Sequence, residues 1–359
     1  MRKTFREIFH SPSGAGAGLS LRLGAAALII LLLSVAGCAP SAVRDEEQTP
    51  QRQLIWPPPP EPARISFSRT IEKPEDIGAN RGFFRKLSDF FLGPRSDEIV
   101  KPYGITADST GRVIVVDTAL KRVHVFDAKK NKYFYIESIG DENLDSPIAA
   151  AVDAEDNIYV TDSLYAKVFV FNPKGKLLFS INGFKRPTGI AVNRREKTVY
   201  VVDTGVHEIK EFDLKGKHLR TFGGLGNKPG EFNFPVDIFV DNNGELYVAD
   251  SMNYRVQIFD KDGRFQSAFG HQGDGTGDFG RPKGVSVDRD GNVYVADALF
   301  DTVQIFDRKG NFLLNFGTLG REAGKFWLPC GVFIDQGDKI YVSDSYNKRI
   351  QIFDYLGHS

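Results

Sequence analysis

The segment PVDIFVDNNGELYVADSMNYRVQIFDKDGRFQSAFG, residues 235–270, determines the fold. It contains four short runs rich in β-branched and aromatic residues, and turn residues separate these runs. The turns DNNG at 241–244 and DKDG at 260–263 begin with aspartate and end with glycine, which is typical of tight hairpins. Because strands joined by tight hairpins run antiparallel, the segment predicts one four-stranded antiparallel unit.

This unit recurs along most of the chain. Six related segments begin with a proline, and these are Pro102, Pro147, Pro187, Pro235, Pro282 and Pro329. A single sheet of this size leaves both faces exposed, whereas six sheets arranged radially bury face against face and leave only short edges. We therefore predict an all-β fold, a six-bladed β-propeller with four-stranded antiparallel blades.

The last repeat is incomplete, since the chain runs out near Gly357 after only three strands of it. Residues 63–71, ARISFSRTI, form an alternating segment ahead of the first repeat. We expect this segment to supply the missing outer strand of the last blade and so to close the ring. The predicted propeller domain spans residues 63–357.

A second apolar segment, RGFFRKLSDFFLG at 81–93, separates the closing strand from the first repeat. Its apolar residues fall at helical spacing and form one face; they are Phe83, Phe84, Leu87, Phe90 and Phe91. We expect a helical insert that packs across the ligand side of the propeller or over the channel mouth. Membrane contact and partner docking are the alternatives.

The N-terminus has the features of an export signal. A basic start precedes an apolar run from Leu23 to Val35, which is shorter than the roughly 20 residues of a membrane-spanning helix. The ending Ala36-Gly37-Cys38 resembles the bacterial lipobox, which implies cleavage after residue 37 and acylation of Cys38. An ordinary signal peptide cut near Ala39 is the alternative. The proline-rich residues 38–62 are interpreted as a lipidated tether.

Composition limits the classes of function. The chain has 46 basic and 46 acidic residues, and the first 37 residues hold four of the basic and one of the acidic ones. The remainder therefore carries 42 against 45 charges, about −3, which does not favour nucleic-acid binding. Cys330 is the only cysteine beyond Cys38, so no disulfide is expected within the domain.

The repeats resemble those of the NHL family. Its units pair a proline-glycine start with a YVAD-like second strand and an N-x-R-V-Q-x-F-D-like third strand, matched here by 246–250 and 253–260. The resemblance covers residues 102–357 and implies the six-bladed fold. The proline-rich lead, closing strand and lipobox are also similar to those of NHL lipoproteins found beside multihaem cytochromes. With Ala39 after the cysteine, similarity to Gram-negative sorting signals implies the outer membrane.

One aspartate recurs at the end of every second strand. The six copies are Asp117, Asp162, Asp203, Asp250, Asp297 and Asp344. An aspartate at a strand end can accept hydrogen bonds from the next backbone amides. Recurrence at one repeat position therefore predicts structural turns rather than catalytic acids, and the phenylalanines that end the third strands are predicted to pack between blades.

We next consider a metal site in the channel. Enzymes on similar propellers, such as amidating lyases and gluconolactonases, hold zinc or calcium with side chains at the channel mouth. The third residues of the inner strands here are Gly104, Ala149, Gly189, Asp237, Gly284 and Gly331. Asp237 is thus a weak metal candidate, with a polar channel-lining role as the alternative. The histidines are not expected to converge, and neither catalytic residues nor a cofactor are predicted.

Loops that join second to third strands, and fourth strands to the next blade, form the ligand-side face of a propeller. Basic residues begin four third strands on this face: Arg122, Lys167, Arg255 and Arg349. Beside them are the aromatic and amide candidates Asn253, Tyr254, Phe300, Tyr346 and Asn347. The alternative is that the arginine stems pack along the strands with solvated heads.

These features predict a monomeric, noncatalytic scaffold at a bacterial envelope. Its ligand-side face is expected to bind another envelope protein. The resemblance to NHL lipoproteins implies a redox or cytochrome complex as the partner. Two other functions stay open at this point: a metal-dependent lyase or lactonase in the channel, and a sensor of a small glycan or peptide.

Overall fold

The structure is a computed structural model that describes residues 53–79 and 97–357. The predicted signal peptide, Cys38, most of the predicted tether, the predicted helix at 81–93 and His358 lie outside the described residues. The compact unit that contains the propeller begins at Gln53. No helix among the described residues has the length and apolar character needed to cross a bilayer.

The described chain forms 25 strands and two short 3₁₀ helices, Pro74–Ile77 and Ser251–Asn253. In chain order the strands are β1 (Ile55–Trp56), β2 (Ile65–Ile71), β3 (Pro102–Ala107), β4 (Val113–Asp117), β5 (Arg122–Asp127), β6 (Lys132–Ile136), β7 (Pro147–Val152), β8 (Ile158–Asp162), β9 (Lys167–Phe171), β10 (Leu177–Ile181), β11 (Pro187–Asn193), β12 (Thr198–Asp203), β13 (Glu208–Asp213), β14 (His218–Gly223), β15 (Pro235–Val240), β16 (Leu246–Asp250), β17 (Arg255–Phe259), β18 (Phe265–Phe269), β19 (Pro282–Val287), β20 (Val293–Asp297), β21 (Thr302–Phe306), β22 (Phe312–Phe316), β23 (Pro329–Ile334), β24 (Lys339–Asp344) and β25 (Arg349–Tyr355).

These strands form six antiparallel sheets, which confirms the predicted propeller. Blades 1 to 5 are the four-stranded sheets β3–β6, β7–β10, β11–β14, β15–β18 and β19–β22. Each blade begins at one of the repeat prolines, and its first strand is the inner one. The neighbouring inner strands of blades 1 and 6, β3 and β23, lie in contact, as the other neighbouring pairs do, so the ring is closed.

Blade 6 contains both ends of the described domain, in the order β1-β2-β25-β24-β23. The predicted closing strand β2 pairs antiparallel with β25, from Ile65 opposite Tyr355 to Ile71 opposite Ile350. The additional strand β1 precedes it, inside the segment that the sequence assigned to the tether. Trp56 of β1 packs against Phe316 and Phe353, with ring centroids 6.0 and 5.7 Å apart, which explains why the compact unit starts before residue 63.

The hydrophobic core consists of the layers between blades. The phenylalanines that end the third strands are at most 3% exposed, as predicted; they are Phe126, Phe171, Phe212, Phe259, Phe306 and Phe353. Between blades 1 and 2, for example, Val125 of β5 packs in one cluster with Ala150 and Phe169 of blade 2. Complete burial of one such aromatic side chain stabilises the fold by about 1.5–3 kcal/mol.

Glycines at the third position of the inner strands let neighbouring blades approach closely. A Cβ atom on Gly331 would lie 2.3 Å from the Tyr103 carbonyl oxygen, and one on Gly284 would lie 2.6 Å from the Val332 nitrogen. Real Cβ atoms do not tolerate such distances. The glycines therefore allow six inner strands to surround a narrow central channel.

Candidate binding face and central channel

The recurring aspartates are structural, as predicted. All six are fully buried. Asp117 accepts hydrogen bonds from the backbone N–H groups of Val100, Lys101, Ala119 and Leu120, at 2.6–3.2 Å. It thus ties the loop that enters blade 1 to the turn that leaves β4. Repeated around the ring, this arrangement holds the loops of the ligand-side face in fixed positions.

Arg255 and Arg349, two of the candidate partner-binding cations, are engaged within their own blades. The Arg255 Nε atom donates to Asp250 at 2.8 Å, and its terminal nitrogens donate to three loop carbonyls. Arg349 donates to Asp344 at 2.7 Å and to two loop carbonyls. Their side chains are only 14% and 8% exposed, so their main contacts stabilise the loops that enter blades 4 and 6.

The other basic candidates and the two amide candidates are also only partly exposed. The Arg122 guanidinium is 4.2 Å from the Tyr135 ring centroid and 3.7 Å from Glu137. Lys167 is half-buried at the start of β9. Two further candidates, Asn253 and Asn347, donate to the strand-end aspartates of their own blades and to the loop carbonyls of Gly226 and Gly320, at 2.7–3.0 Å.

Of the three aromatic candidates, Tyr346 is the most exposed. Its ring is 49% exposed, stacks obliquely on Trp327 at 5.5 Å, and has the Lys101 ammonium 5.7 Å from its centroid. Tyr254 and Phe300 are half-buried. The structure therefore presents Tyr346, more than the arginines, to an incoming partner.

Sequence reasoning missed most of a set of exposed apolar side chains on this face, of which only Tyr346 was a candidate. Two residues after the strand-end aspartate lie Leu164, Met252, Leu299 and Tyr346, which are 46–67% exposed. Leu225, Phe234 and Leu319, in the loops that enter the next blades, are 45–69% exposed. These seven residues, here called the apolar ring, are seven of the eleven exposed large hydrophobic residues in the described chain. The fixed repeat position was the signal that could have revealed them.

Cations surround the channel on the same face. The residues immediately before the inner-strand prolines are Lys101, Ser146, Arg186, Phe234, Arg281 and Leu328. Lys101, Arg186 and Arg281 are exposed, and none of the six residues is acidic. The centre of the ligand-side face is therefore positively charged, and the apolar ring lies around it.

The central channel contains a cavity of about 480 Å³ between the inner strands. One end is lined by the turns that join first to second strands, at 108–111, 193–195, 241–242, 288–289 and 335–337, on the face opposite the ligand side. The other end is lined by Tyr103, Asp237, Lys283 and Cys330. Tyr103 of blade 1 and Lys283 of blade 5 meet across the channel, with Oη and Nζ 3.5 Å apart.

Ionisation at this end of the channel is shifted by burial. Burial raises the pKa of Asp237 to about 7, although its carboxylate accepts hydrogen bonds from the Val285 and Ile238 backbone amides. Burial lowers the pKa of Lys283 and raises that of the Cys330 thiol, and it raises the pKa of Tyr103 far above its usual value. Tyr103 is thus a neutral hydrogen-bond donor here.

Asp237, the weak metal candidate, accepts hydrogen bonds from the backbone amides of Val285 and Ile238. In the described residues, no three or more His, Cys, Asp or Glu side chains are grouped as metal ligands would be. The histidines are also separated: His124 is buried beside Tyr133 and Asp117, and His207 accepts a hydrogen bond from the Phe234 amide. Asp237 stays a weak metal candidate, with the polar channel-lining role as the alternative.

Fold and repeats together define a six-bladed β-propeller, and family comparisons agree. Residues 162–270 match the SMP-30/Gluconolactonase/LRE-like region, residues 242–301 match a family described as 6-bladed beta-propeller, and residues 326–353 match the NHL repeat. The recognition of NHL-type repeats in the sequence is thereby confirmed. No curated protein shows significant sequence similarity to the chain.

Many solved structures share the fold. A streptogramin B lyase is 13% identical with a TM-score of 0.55, and the match covers 72% of this chain and 94% of that one. An auxiliary nutrient binding protein from Bacteroides thetaiotaomicron VPI-5482 is 12% identical with a TM-score of 0.58, over 72% and 70%. Kuenenia stuttgartiensis hydrazine synthase is 14% identical with a TM-score of 0.54, over 74% and 98%. At such identities the likeness concerns the fold alone.

Proposed function

We propose that this protein is a noncatalytic scaffold that binds another protein of the bacterial envelope through its ligand-side face. The observation that carries the proposal is the apolar ring: seven of the eleven exposed large hydrophobic residues of the described chain lie on this one face. Single exposed apolar residues are common on soluble proteins, whereas their concentration on one face is typical of an interaction site. The buried aspartates beneath the loops keep the face preorganised, which reduces the entropy lost on binding.

The chemistry of the face favours a particular kind of partner surface. Leu164, Met252, Leu299 and Tyr346 offer apolar contacts at four positions around the ring. Lys101, Arg186 and Arg281 place positive charge at its centre. We therefore expect a partner with apolar side chains around one or more carboxylates. Arg255 and Arg349 support this surface from below, because they hold the loops that carry Leu225 and Leu319.

The proposal includes attachment to the outer membrane by acylation of Cys38, with the following proline-rich residues as a tether. It is supported by the lipobox-like sequence Ala36-Gly37-Cys38. A redox or cytochrome complex is the partner class that the resemblance to NHL lipoproteins favours. Metabolic labelling with a palmitate analogue tests the anchor: label on the wild-type chain and not on Cys38→Ser supports it, and equal label on both contradicts it.

Crosslinking pull-down from native envelopes tests the scaffold function. The bait is the chain from residue 53 onward, compared with Leu164→Glu/Leu299→Glu. The matched control, Leu178→Glu/Leu219→Glu, changes two leucines of similar exposure on the outer strands β10 and β14. We expect one envelope protein to be captured by wild type and control and lost from the apolar-ring variant. Equal capture by all three proteins would contradict the proposal.

A second candidate, a lyase or lactonase acting in the channel, is favoured by the match of residues 162–270 to the gluconolactonase-like region. Elemental analysis separates the two functions. One tightly held metal ion per purified chain, together with lactone hydrolysis that chelation abolishes, would favour the enzyme over the scaffold. A captured partner without stoichiometric metal would favour the scaffold.

A further inference from the structure

The central channel contains a second candidate binding site, inside the ring of inner strands. Its cavity is lined at one end by the turns of the opposite face and at the other by Tyr103, Asp237, Lys283 and Cys330. The contact between Tyr103 and Lys283 across the channel narrows this second end. A small molecule would therefore enter from the turn face and reach these side chains at the bottom of the pocket.

Lys283 has few partners for a buried ammonium group. It is half-buried in the channel wall, and its described hydrogen bond is the 3.5 Å contact with the Tyr103 hydroxyl. The ammonium also lies 5.9 Å from the centroid of the Tyr103 ring. An ammonium group has three donors, and the hydroxyl contact uses one of them. Arg281 and Arg186 lie near enough to Lys283 to lower its pKa further. The bottom of the pocket thus has unused capacity to donate hydrogen bonds to an anion.

The only carboxylate at the bottom of the pocket among the described residues does not compensate this charge. Asp237 accepts the Val285 and Ile238 backbone amides and makes no ion pair with Lys283. Tyr103 accepts from Lys283, so its hydroxyl hydrogen is available for a second acceptor. Lys283 and Tyr103 together can therefore bind one carboxylate group with two hydrogen bonds.

Apolar residues line the wall between the bottom and the rim. They include Ala151, Val192, Phe239, Val287, Val332 and Phe333. Phe239 and Phe333 are half-buried and also pack against the cores between blades. The rim carries equal numbers of both charges, so preference for an anion would come from the bottom of the pocket; its basic residues are Lys129, Arg194, Arg195 and Arg289, and its acidic ones are Asp108, Asp241, Asp288 and Asp335.

We propose that the channel binds a small organic carboxylate with an apolar body, whose carboxylate contacts Lys283 and Tyr103 and whose body lies against the aliphatic and aromatic wall. This proposal does not rest on the proposed protein-binding function. It requires no metal ion and no chemical step.

Calorimetric titration of the wild-type chain with unbranched carboxylates, from acetate to decanoate, tests the site. We expect one ligand per chain and an affinity that rises by up to about fourfold per methylene until the cavity is filled. The corresponding primary alcohols have the same apolar body without the charge, and we expect them to bind at least tenfold more weakly. Inorganic sulfate, which lacks the apolar body, is expected to bind more weakly than decanoate.

Two variants locate the site. Lys283→Met removes the ammonium and should weaken decanoate binding at least tenfold, whereas Lys309→Met, in an exposed turn of the same blade, should leave it unchanged. Circular dichroism and melting temperature establish that both variants are folded. The alcohol comparison uses wild-type protein, so it decides the question even if Lys283→Met does not fold. Absence of carboxylate binding, equal binding of alcohols, or full affinity in a folded Lys283→Met would overturn the proposal.

Discussion

Asp237→Asn should stabilise the protein at neutral pH and leave its stability nearly unchanged in acid. The pKa of this carboxyl rises from 3.8 to about 7 on folding because the group is buried. Between these values the folded state holds a proton that the unfolded state releases, so wild-type stability falls as pH rises. A shift of about three units corresponds to at most about 4 kcal/mol above pH 7. The asparagine avoids this cost, since its carbonyl oxygen can still accept the Val285 N–H.

Thermal unfolding of wild type and Asp237→Asn at pH 4 to 8 measures this effect. About 2 °C per kcal/mol for a domain of this size gives a gain of up to roughly 8 °C at pH 8, shrinking towards zero at pH 4. Taking the difference between the two proteins cancels other titrating groups, such as the buried His124. Asp307→Asn is the control: turn hydrogen bonds lower the pKa of Asp307, so this variant should lose stability at neutral pH. A gain for Asp237→Asn that is constant with pH, or larger in acid, would refute the reasoning.

Three further predictions concern the frame of the propeller. Gly331→Ala should destabilise the fold by about 2 kcal/mol or more in urea, because its Cβ would collide with the Tyr103 carbonyl, while Gly275→Ala should have little effect. Arg255→Met should cost about 3 kcal/mol in the same assay, because it leaves buried Asp250 without its cation, whereas Arg264→Met at an exposed site should stay within about 0.5 kcal/mol. A chain starting at Gln53 should show one cooperative calorimetric transition; a chain starting at Lys73 lacks β1 and β2 and should melt at least 10 °C lower. Equal melting temperatures would refute the closing role of these strands.

The fold could be predicted from the sequence because each repeat has the same pattern of strand and turn residues. Alternation, aspartate-to-glycine turns and the strand-end aspartates point to the same blade, and six copies leave little ambiguity about the ring. The closing strand was visible because β2 alternates over seven residues. The strand β1 was not visible, since two residues carry no periodicity and its position depends on the contact of Trp56 with distant Phe316.

The site was less accessible to sequence reasoning for two physical reasons. The position of Arg255 on the ligand-side face could be inferred, but its hydrogen bonds to the carbonyls of Asn227 and Lys228 depend on the conformation of a neighbouring loop. In the channel, the register of the inner strands shifts between the first and fourth residues, as between Pro282 and Val285. The side chains of second residues, such as Tyr103 and Lys283, therefore reach the bottom of the pocket. The sequence analysis considered only the third residues of the inner strands, and it therefore identified only Asp237 there.

Comparing the six repeats distinguishes residues that maintain the fold from residues that are proposed to bind a ligand or partner. Positions that are alike in all six blades, such as the buried aspartates, hold loops and turns and have no spare hydrogen-bonding capacity. Positions that differ between blades carry the exposed leucines on one face and the Tyr103–Lys283 pair in the channel. A repeat fold tolerates substitutions only at positions that its shared structure does not require. Functional residues of this protein should therefore be sought at positions where the blades differ in sequence. One proposed site lies on the ligand-side face, and the other lies inside the channel, with Lys283 and Tyr103 at the end nearer to this face. Because Arg186 and Arg281 of the face lie near Lys283, variants of the exposed leucines, rather than of these arginines, separate the two sites.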